Sequence, residues 1–75
     1  MNFAGKPYVH RTGDGHWGIR SGVFPIRWYA EYGGVAVWVW ASHARIWKSR
    51  REAQAKLMSL VLSGELAEMA ERTVT

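Results

Sequence analysis

The side chains that most often carry out catalysis are few in this sequence and lie far apart. Three histidines stand at positions 10, 16 and 43, and six acidic residues are scattered along the chain. Acid–base catalysis and metal binding need such groups close together. We therefore expect a protein that is not an enzyme and uses no metal or cofactor; only His16 and His43 converging with Asp14 would revive a metal site.

Tryptophan, tyrosine and arginine give the stronger signal, because these side chains dominate binding hot spots and also stack on bases or contact phosphates. The chain has five tryptophans in 75 residues, three of them in the stretch "YGGVAVWVWASHARIW", residues 32–47. The central question is whether these tryptophans face the core or a partner.

The charge distribution favours an anionic partner. Residues 1–56 hold nine Lys or Arg and three acids, whereas residues 57–75 hold one Arg and three Glu. A basic body favours nucleic acid, with DNA first.

The chain has no cysteine and no apolar stretch long enough to span a membrane, and no secretion signal is evident. These features predict a cytoplasmic protein.

Alternating apolar and polar residues from His16 to Trp47 predict β-strands at about 16–21, 24–32, 35–41 and 44–47. Residues 1–15 are rich in turn formers and predict an irregular N-terminal arm with one short strand near Tyr8 and Val9. Residues 16–75 are expected to form a single small domain.

Two turns set the predicted register. A two-residue turn at Gly33 and Gly34 pairs Tyr29 with Trp38, and a second turn at residues 42 and 43 pairs Trp38 with Trp47. A core face then collects Phe24, Ile26, Trp28, Ala30, Tyr32, Val35, Val37, Val39, Ala41, Ala44 and Ile46, joined by Trp17 and Ile19. The opposite face collects Arg27, Tyr29, Glu31, Trp38, Trp40, Arg45 and Trp47, with Arg20 beside them.

After Trp47 the pattern becomes helical. Ser49 and Glu52 form a capping box, and Gly64 marks the end of the helix. Its apolar stripe, Ala53, Leu57, Leu60 and Val61, is expected to cover the core face. A short, acidic second helix follows and either packs on a partner or frays. The predicted class is α+β: a three- to four-stranded antiparallel β-meander, one main α-helix on one sheet face, and a short C-terminal helix.

An alternative arrangement exchanges the two faces, so that the main helix lies on the tryptophans. Burying Arg27, Arg45 and Glu31 unpaired would be costly. That cost favours the first arrangement, in which the tryptophans face away from the helix. Even then, the N-terminal arm, the C-terminal helix or a twofold mate could cover them.

The strands and the junction "ARIWKSRREAQAKL" resemble the arm-type, AP2-like DNA-binding domain of phage integrases over about residues 17–57. The matching positions are Trp28, Tyr29, Gly33, Gly34, Trp47, Lys48, Ser49, Glu52 and Ala53. The resemblance implies a sheet lying in the DNA major groove, with Arg20, Arg27, Arg45, Trp38 and Trp40 at the reading positions. The tryptophan-rich outer face departs from the polar reading surface of such domains and favours a protein partner instead.

The sequence thus predicts a small nucleic-acid-binding protein of phage or mobile-element type. The expected binding residues are Arg20, Arg27, Tyr29, Trp38, Trp40, Arg45, Trp47, Lys48, Arg50 and Arg51. The alternative is a protein-interaction module that uses the same tryptophan-rich face. That module would be either a homodimer or a phage-encoded inhibitor of a host protein complex, such as an anti-CRISPR protein.

Overall fold

Four antiparallel strands and two helices make up the part of the chain that the computed structural model describes, residues 6–22, 26–69 and 72. The elements are strands β1 (Tyr8–Arg11), β2 (Trp17–Arg20), β3 (Trp28–Tyr32) and β4 (Val35–Val39), a 3-10 turn (Ala41–His43), and helices α1 (Arg50–Ser63) and α2 (Glu65–Glu68). The strands lie in the order β1-β2-β3-β4. The predicted α+β class, an antiparallel meander followed by a main and a short helix, is confirmed.

The β3–β4 hairpin has the predicted register. Its backbone pairs join Tyr32 to Val35, Ala30 to Val37, Tyr29 to Trp38 and Trp28 to Val39. Gly33 and Gly34 adopt φ angles of 59° and 81°. Glycine reaches this left-handed region without steric cost, so the two glycines fix the turn and the register.

The segment after β4 lies in a different place from the one predicted. It makes the 3-10 turn and then enters the space between β2 and β3. There Trp47 exchanges backbone hydrogen bonds of 2.7 and 2.9 Å with Trp17, and the Arg45 N–H donates to the Tyr29 carbonyl at 2.8 Å. The predicted pairing of this segment with β4 is wrong. A two-residue hairpin needs positive φ angles, which no described residue other than glycine adopts.

Part of the predicted N-terminal arm forms strand β1 at the edge of the sheet. Tyr8 pairs with Arg20, and at the other end Arg11 pairs with Trp17. The short strand expected here is therefore present and is continuous with the sheet. The first five residues of the arm lie outside the described residues.

Helix α1 begins and ends where the sequence predicts. The Ser49 hydroxyl accepts a hydrogen bond from the Glu52 N–H at 3.2 Å, and Gly64 ends the helix with a φ of 82°. The buried positions are Ala53, Leu57 and Leu60. Val61, predicted to belong to the same stripe, is instead half exposed.

Helix α1 covers the sheet face that was predicted to point away from it. The core cluster consists of Ile19, Tyr29, Ala36, Trp38, Leu57, Leu60 and Met69, with Val9, Trp47 and Leu66 packed against it. Trp38 is 6% exposed and Tyr29 is fully buried. The predicted assignment of the faces is wrong, and the alternative with the helix on the tryptophans is the observed arrangement.

Glu31 and Arg45 lie at the margin of the helix-covered face. The cost of burying unpaired charges, which argued against placing the helix on this face, therefore does not arise. The Glu31 carboxylate lies 3.1 Å from Lys56 Nζ on α1 and 3.7 Å from Arg45 Nη1. It also accepts a hydrogen bond from the Tyr29 hydroxyl. Charges that are paired and partly exposed cost far less than isolated buried ones.

The acidic C-terminal segment packs on the same domain. Met69 is fully buried in the core cluster. Arg72 Nη2 donates to Glu68 Oε1 at 2.9 Å, while the Arg72 carbonyl accepts from the Trp38 N–H on β4 at 3.1 Å. The Arg72 backbone is thus bonded to the edge strand β4, and its side chain is bonded to α2.

The face opposite the helices, here called the second face, holds a smaller buried cluster formed by Ala30, Val37 and Val39. The predicted phase of β2 is also wrong, because Ile19 lies under α1 whereas Arg20 pairs with Trp28 and shares its face. Phe24, predicted to join the core, lies outside the described residues. Among the described residues, four predicted core positions are exposed: Tyr32, Val35, Ala41 and Ile46.

Candidate functional site

An aromatic–basic cluster, defined as Tyr8, His10, Arg20 and Trp28, lies on the second face where β1, β2 and β3 run side by side. The Arg20 guanidinium carbon lies 5.5 Å from the ring centroid of Tyr8 and 5.5 Å from that of Trp28. His10 meets both rings edge-on, with centroid distances of 6.0 and 6.1 Å. A cation held against two aromatic rings has a restricted position, which prepares it to meet an anion.

Gly18 on β2 allows the Trp28 ring to lie close to the β2 backbone. A β-carbon at Gly18 would stand 2.8 Å from Cε3 and Cζ3 of Trp28, closer than real contacts allow. The same β-carbon would be 3.6 Å from the Arg45 carbonyl oxygen. The missing side chain at Gly18 therefore determines where the indole ring rests.

A cleft of about 640 Å³ opens beside this cluster. The lining comes from the end of β1 and the β1–β2 turn, from Arg20 on β2 and Trp28 on β3, and from the segment between β4 and α1. The lining residues are His10, Arg11, Thr12, Gly13, Asp14, Arg20, Trp28, Ala41, Ser42, Ala44 and Ile46. The volume falls within the range of about 300–1,000 Å³ that is usual for small-ligand sites.

Hydrogen bonds hold the β1–β2 turn in one shape. The Thr12 hydroxyl donates to the Asp14 carboxylate, and the His16 N–H donates to Thr12 Oγ1 at 3.0 Å. The Thr12 N–H donates to the His16 carbonyl at 2.7 Å. The Thr12 and His16 hydrogen bonds lower the pKa of Asp14 to about 2, so this part of the cleft lining carries a negative charge at neutral pH.

Arg20 has no acidic partner among the described residues. Arg45 and Lys56 share Glu31, and Arg72 contacts Glu65 and Glu68. In addition, the buried Nε atom of Arg20 has no hydrogen-bond partner in the described part of the chain. Its charge is therefore available to a ligand.

The structure separates the predicted binding residues into three groups. Tyr29, Trp38 and Trp47 pack under or against α1, and the Tyr29 and Trp47 rings stack at 5.9 Å. Arg45 lies over the Trp47 ring at 5.3 Å, on the helix-covered side of the sheet. These four residues are remote from the cluster around Arg20.

A second group lies at the end of the β3–β4 hairpin, where the Arg27 guanidinium carbon is 3.9 Å from the Trp40 ring centroid. Trp40 is 44% exposed. The third group, Lys48, Arg50 and Arg51, is exposed at the start of α1. Of the ten predicted residues, Arg20 alone lines the cleft.

Tyr8, His10 and Trp28 are site residues that the sequence analysis did not identify. The sequence does contain a signal for Tyr8 and His10. A turn at residues 12–16 places Arg11 opposite Trp17, and counting back from this pair puts His10 opposite Gly18 and Tyr8 opposite Arg20. Trp28 was assigned to the core because the wrong face was chosen for the helix.

The described residues contain no group of three or more His, Asp or Glu positioned to hold a metal ion. Likewise, none of the helices within residues 6–22, 26–69 and 72 is long and apolar enough to cross a membrane. His16 Nδ1 lies 3.2 Å from Asp14 Oδ1. This contact joins only two residues, both in the β1–β2 turn.

Comparison of the chain with protein-family models, with curated proteins and with solved structures gives no match in any of the three.

Proposed function

We propose that this protein binds nucleic acid through the second face of its sheet, with the aromatic–basic cluster as the contact surface. The observation that carries the proposal is the position of Arg20 between Tyr8 and Trp28, without an acidic partner among the described residues. An arginine that meets phosphate beside aromatic rings that stack on bases is a common arrangement in nucleic-acid recognition.

The wider charge distribution supports the same proposal. The chain has a net charge of +4, and the ion pairs of Glu31, Glu65 and Glu68 neutralise these acids on the helix-covered side. Arg11 adds a second cation to the cleft, which Asp14 opposes with one negative charge. Lys48, Arg50 and Arg51 are exposed and would supply further phosphate contacts outside the cleft.

The test is a binding titration with labelled single-stranded and duplex DNA at about 50 and 200 mM salt. Affinity should fall steeply with salt, because binding releases counterions from the phosphates. Absence of binding to either form at the lower salt concentration would overturn the proposal. The duplex measurement also tests the major-groove binding that the resemblance to arm-type domains implies.

Two arginine variants separate a specific site from the effect of net charge. Arg20→Gln and Arg45→Gln remove the same charge, but Arg45 lies on the helix-covered side beside Glu31. We expect Arg20→Gln to weaken binding on the order of tenfold and to lower the salt slope by about one phosphate contact. Arg45→Gln should change the affinity by less than about twofold. Equal losses would place the binding surface elsewhere.

One observation favours a second candidate function, self-association through α1. Met58, Val61 and Leu62 form an exposed apolar stripe on its outer side, with Leu62 79% exposed. Small domains gain stability from such contacts between copies. Sedimentation equilibrium tests this candidate: a dimer mass that Leu62→Glu converts to a monomer mass would support it, and a monomer mass for the unmodified protein would exclude it.

A further inference from the structure

We infer that the cleft receives one unpaired nucleotide, with its base stacked on Trp28 and its phosphate on Arg20, so that the protein selects single-stranded over duplex nucleic acid. This inference rests on the proposed function and specifies its ligand. It follows from the shape of the second face and the chemistry of the cleft lining.

The ring of Trp28 is the only tryptophan ring of the described residues that lines the cleft. The six-membered ring of the indole rests against Gly18, where a β-carbon would be only 2.8 Å from Cε3 and Cζ3. This contact fixes the position of the indole, which remains partly exposed and can serve as a stacking platform. Bases inside a duplex already stack on their neighbours, so an aromatic platform of this kind suits bases that are unpaired.

The charges of the lining orient the ligand. Arg20 lies beside Trp28, and Arg11 lies at the end of β1, whereas Asp14 is held on the β1–β2 turn by Thr12 and His16. A phosphate is attracted to the arginines and repelled by the carboxylate. The phosphate is therefore expected at Arg20, away from Asp14, with the base beside it on Trp28.

The lining of the cleft suits a single base better than a duplex. Around Trp28 it combines residues of the β1–β2 turn with Ala41, Ser42, Ala44 and Ile46 from the segment after β4. A duplex presents phosphates and groove edges but no free base face to such a recess. Contact with a duplex would be limited to the exposed arginines and would depend little on Trp28.

The experiment compares one labelled oligonucleotide of about 12 nucleotides as single-stranded DNA, as single-stranded RNA and as a DNA duplex, by fluorescence anisotropy at one salt concentration. We expect either single strand to bind at least about tenfold more tightly than the duplex. The DNA and RNA measurements identify which single strand is preferred. Equal or tighter binding of the duplex overturns the inference while leaving the proposed function intact, whereas no binding of any of the three overturns both.

Trp28→Phe and Arg20→Gln test the two contacts separately, and Arg51→Gln is the matched control outside the cleft. We expect each cleft variant to weaken single-strand binding several-fold and to change duplex binding by less than about twofold. Arg51→Gln should weaken both forms to a similar extent. If the cleft variants affect single strand and duplex alike, the base does not enter the cleft and the inference fails.

Tryptophan emission gives an independent readout of stacking. Single-stranded oligonucleotide should quench part of the emission of the unmodified protein, and Trp28→Phe should remove that quenching. Trp40→Phe serves as the control, because Trp40 is exposed but does not line the cleft. Quenching that persists in Trp28→Phe but disappears in Trp40→Phe would contradict the assignment of the platform.

Discussion

Arg20 and Trp28 are paired across β2 and β3 at the point where these two strands begin to diverge. Beyond this pair, Trp47 bonds to Trp17 and Arg45 bonds to Tyr29, so the chain after β4 fills the opening. The same divergence brings the residues after β4 beside Trp28 in the lining of the cleft. The candidate site thus depends on the way in which the chain after β4 fills the opening between β2 and β3.

Gly18→Ala should displace Trp28. The added β-carbon would meet the indole ring at 2.8 Å, and a rigid aromatic ring cannot yield without moving as a whole. We expect a loss of stability of about 1–3 kcal/mol, typical of an overpacked site, with a change in tryptophan emission. Urea unfolding followed by fluorescence measures both effects.

Gly13→Ala is the control for this variant. The β-carbon at Gly13 would meet nothing within 4 Å, so its stability should change by no more than about 0.5 kcal/mol. Similar losses for the two variants would indicate that loss of glycine flexibility, and not contact with Trp28, is responsible.

Trp38→Ala and Trp40→Ala should behave very differently. Trp38 is 6% exposed inside the core cluster, whereas Trp40 is 44% exposed. Removing a buried tryptophan costs about 3–5 kcal/mol, a large share of the stability of a domain of this size. Circular dichroism during thermal unfolding should show Trp38→Ala mostly unfolded or strongly destabilised.

The Trp40→Ala variant should remain folded, with a smaller loss that reflects its contact with Arg27. On the assignment of faces that the sequence predicts, Trp38 and Trp40 both point away from α1, and both variants would keep the fold. A folded, stable Trp38→Ala protein would mean that α1 does not cover this face.

Local rules predicted much of the fold. The register of β3 and β4 followed from Gly33 and Gly34, and the ends of α1 followed from Ser49 and Gly64. Each of these features depends on residues within a few positions of one another, where turn and cap chemistry decides the conformation.

The choice of face could not be settled by local rules. Both faces of the β3–β4 hairpin carry large apolar side chains, and the ion pairs of Glu31 with Lys56 and Arg45 remove the burial cost that argued against the observed arrangement. Lys56 lies on α1, far along the chain from Glu31, so its contribution was not visible before the helix was placed. The position of Trp47 beside Trp17 is likewise a long-range contact.

The C-terminal segment should stabilise the domain through Met69. This side chain is fully buried in the core cluster, and the following Arg72 is bonded to Glu68. Met69→Ala should cost about 2–5 kcal/mol in urea unfolding, as for other buried methionines. Gln54→Ala, at an exposed position of α1, is the control and should change stability by less than about 0.5 kcal/mol.

The Tyr29–Glu31 contact should make stability depend on pH. The hydrogen bond from the Tyr29 hydroxyl, followed by that from Lys56, lowers the pKa of Glu31 below its ordinary value of 4.5. A carboxyl whose pKa is lower in the folded than in the unfolded protein stabilises the fold above the unfolded value, and this stabilisation is lost as the pH falls through the folded value.

Glu31→Gln should therefore destabilise the protein at pH 7, by about 1 kcal/mol for the weakened contacts, and the difference from the unmodified protein should shrink below about pH 4.5. Thermal unfolding from pH 7 to pH 2 measures this difference. Tyr29→Phe, which keeps the buried ring but removes the donor, should raise the pKa of Glu31 in an NMR titration toward its ordinary value. An unchanged Glu31 pKa in Tyr29→Phe would show that Lys56 and Arg45 alone hold the carboxylate in its charged form.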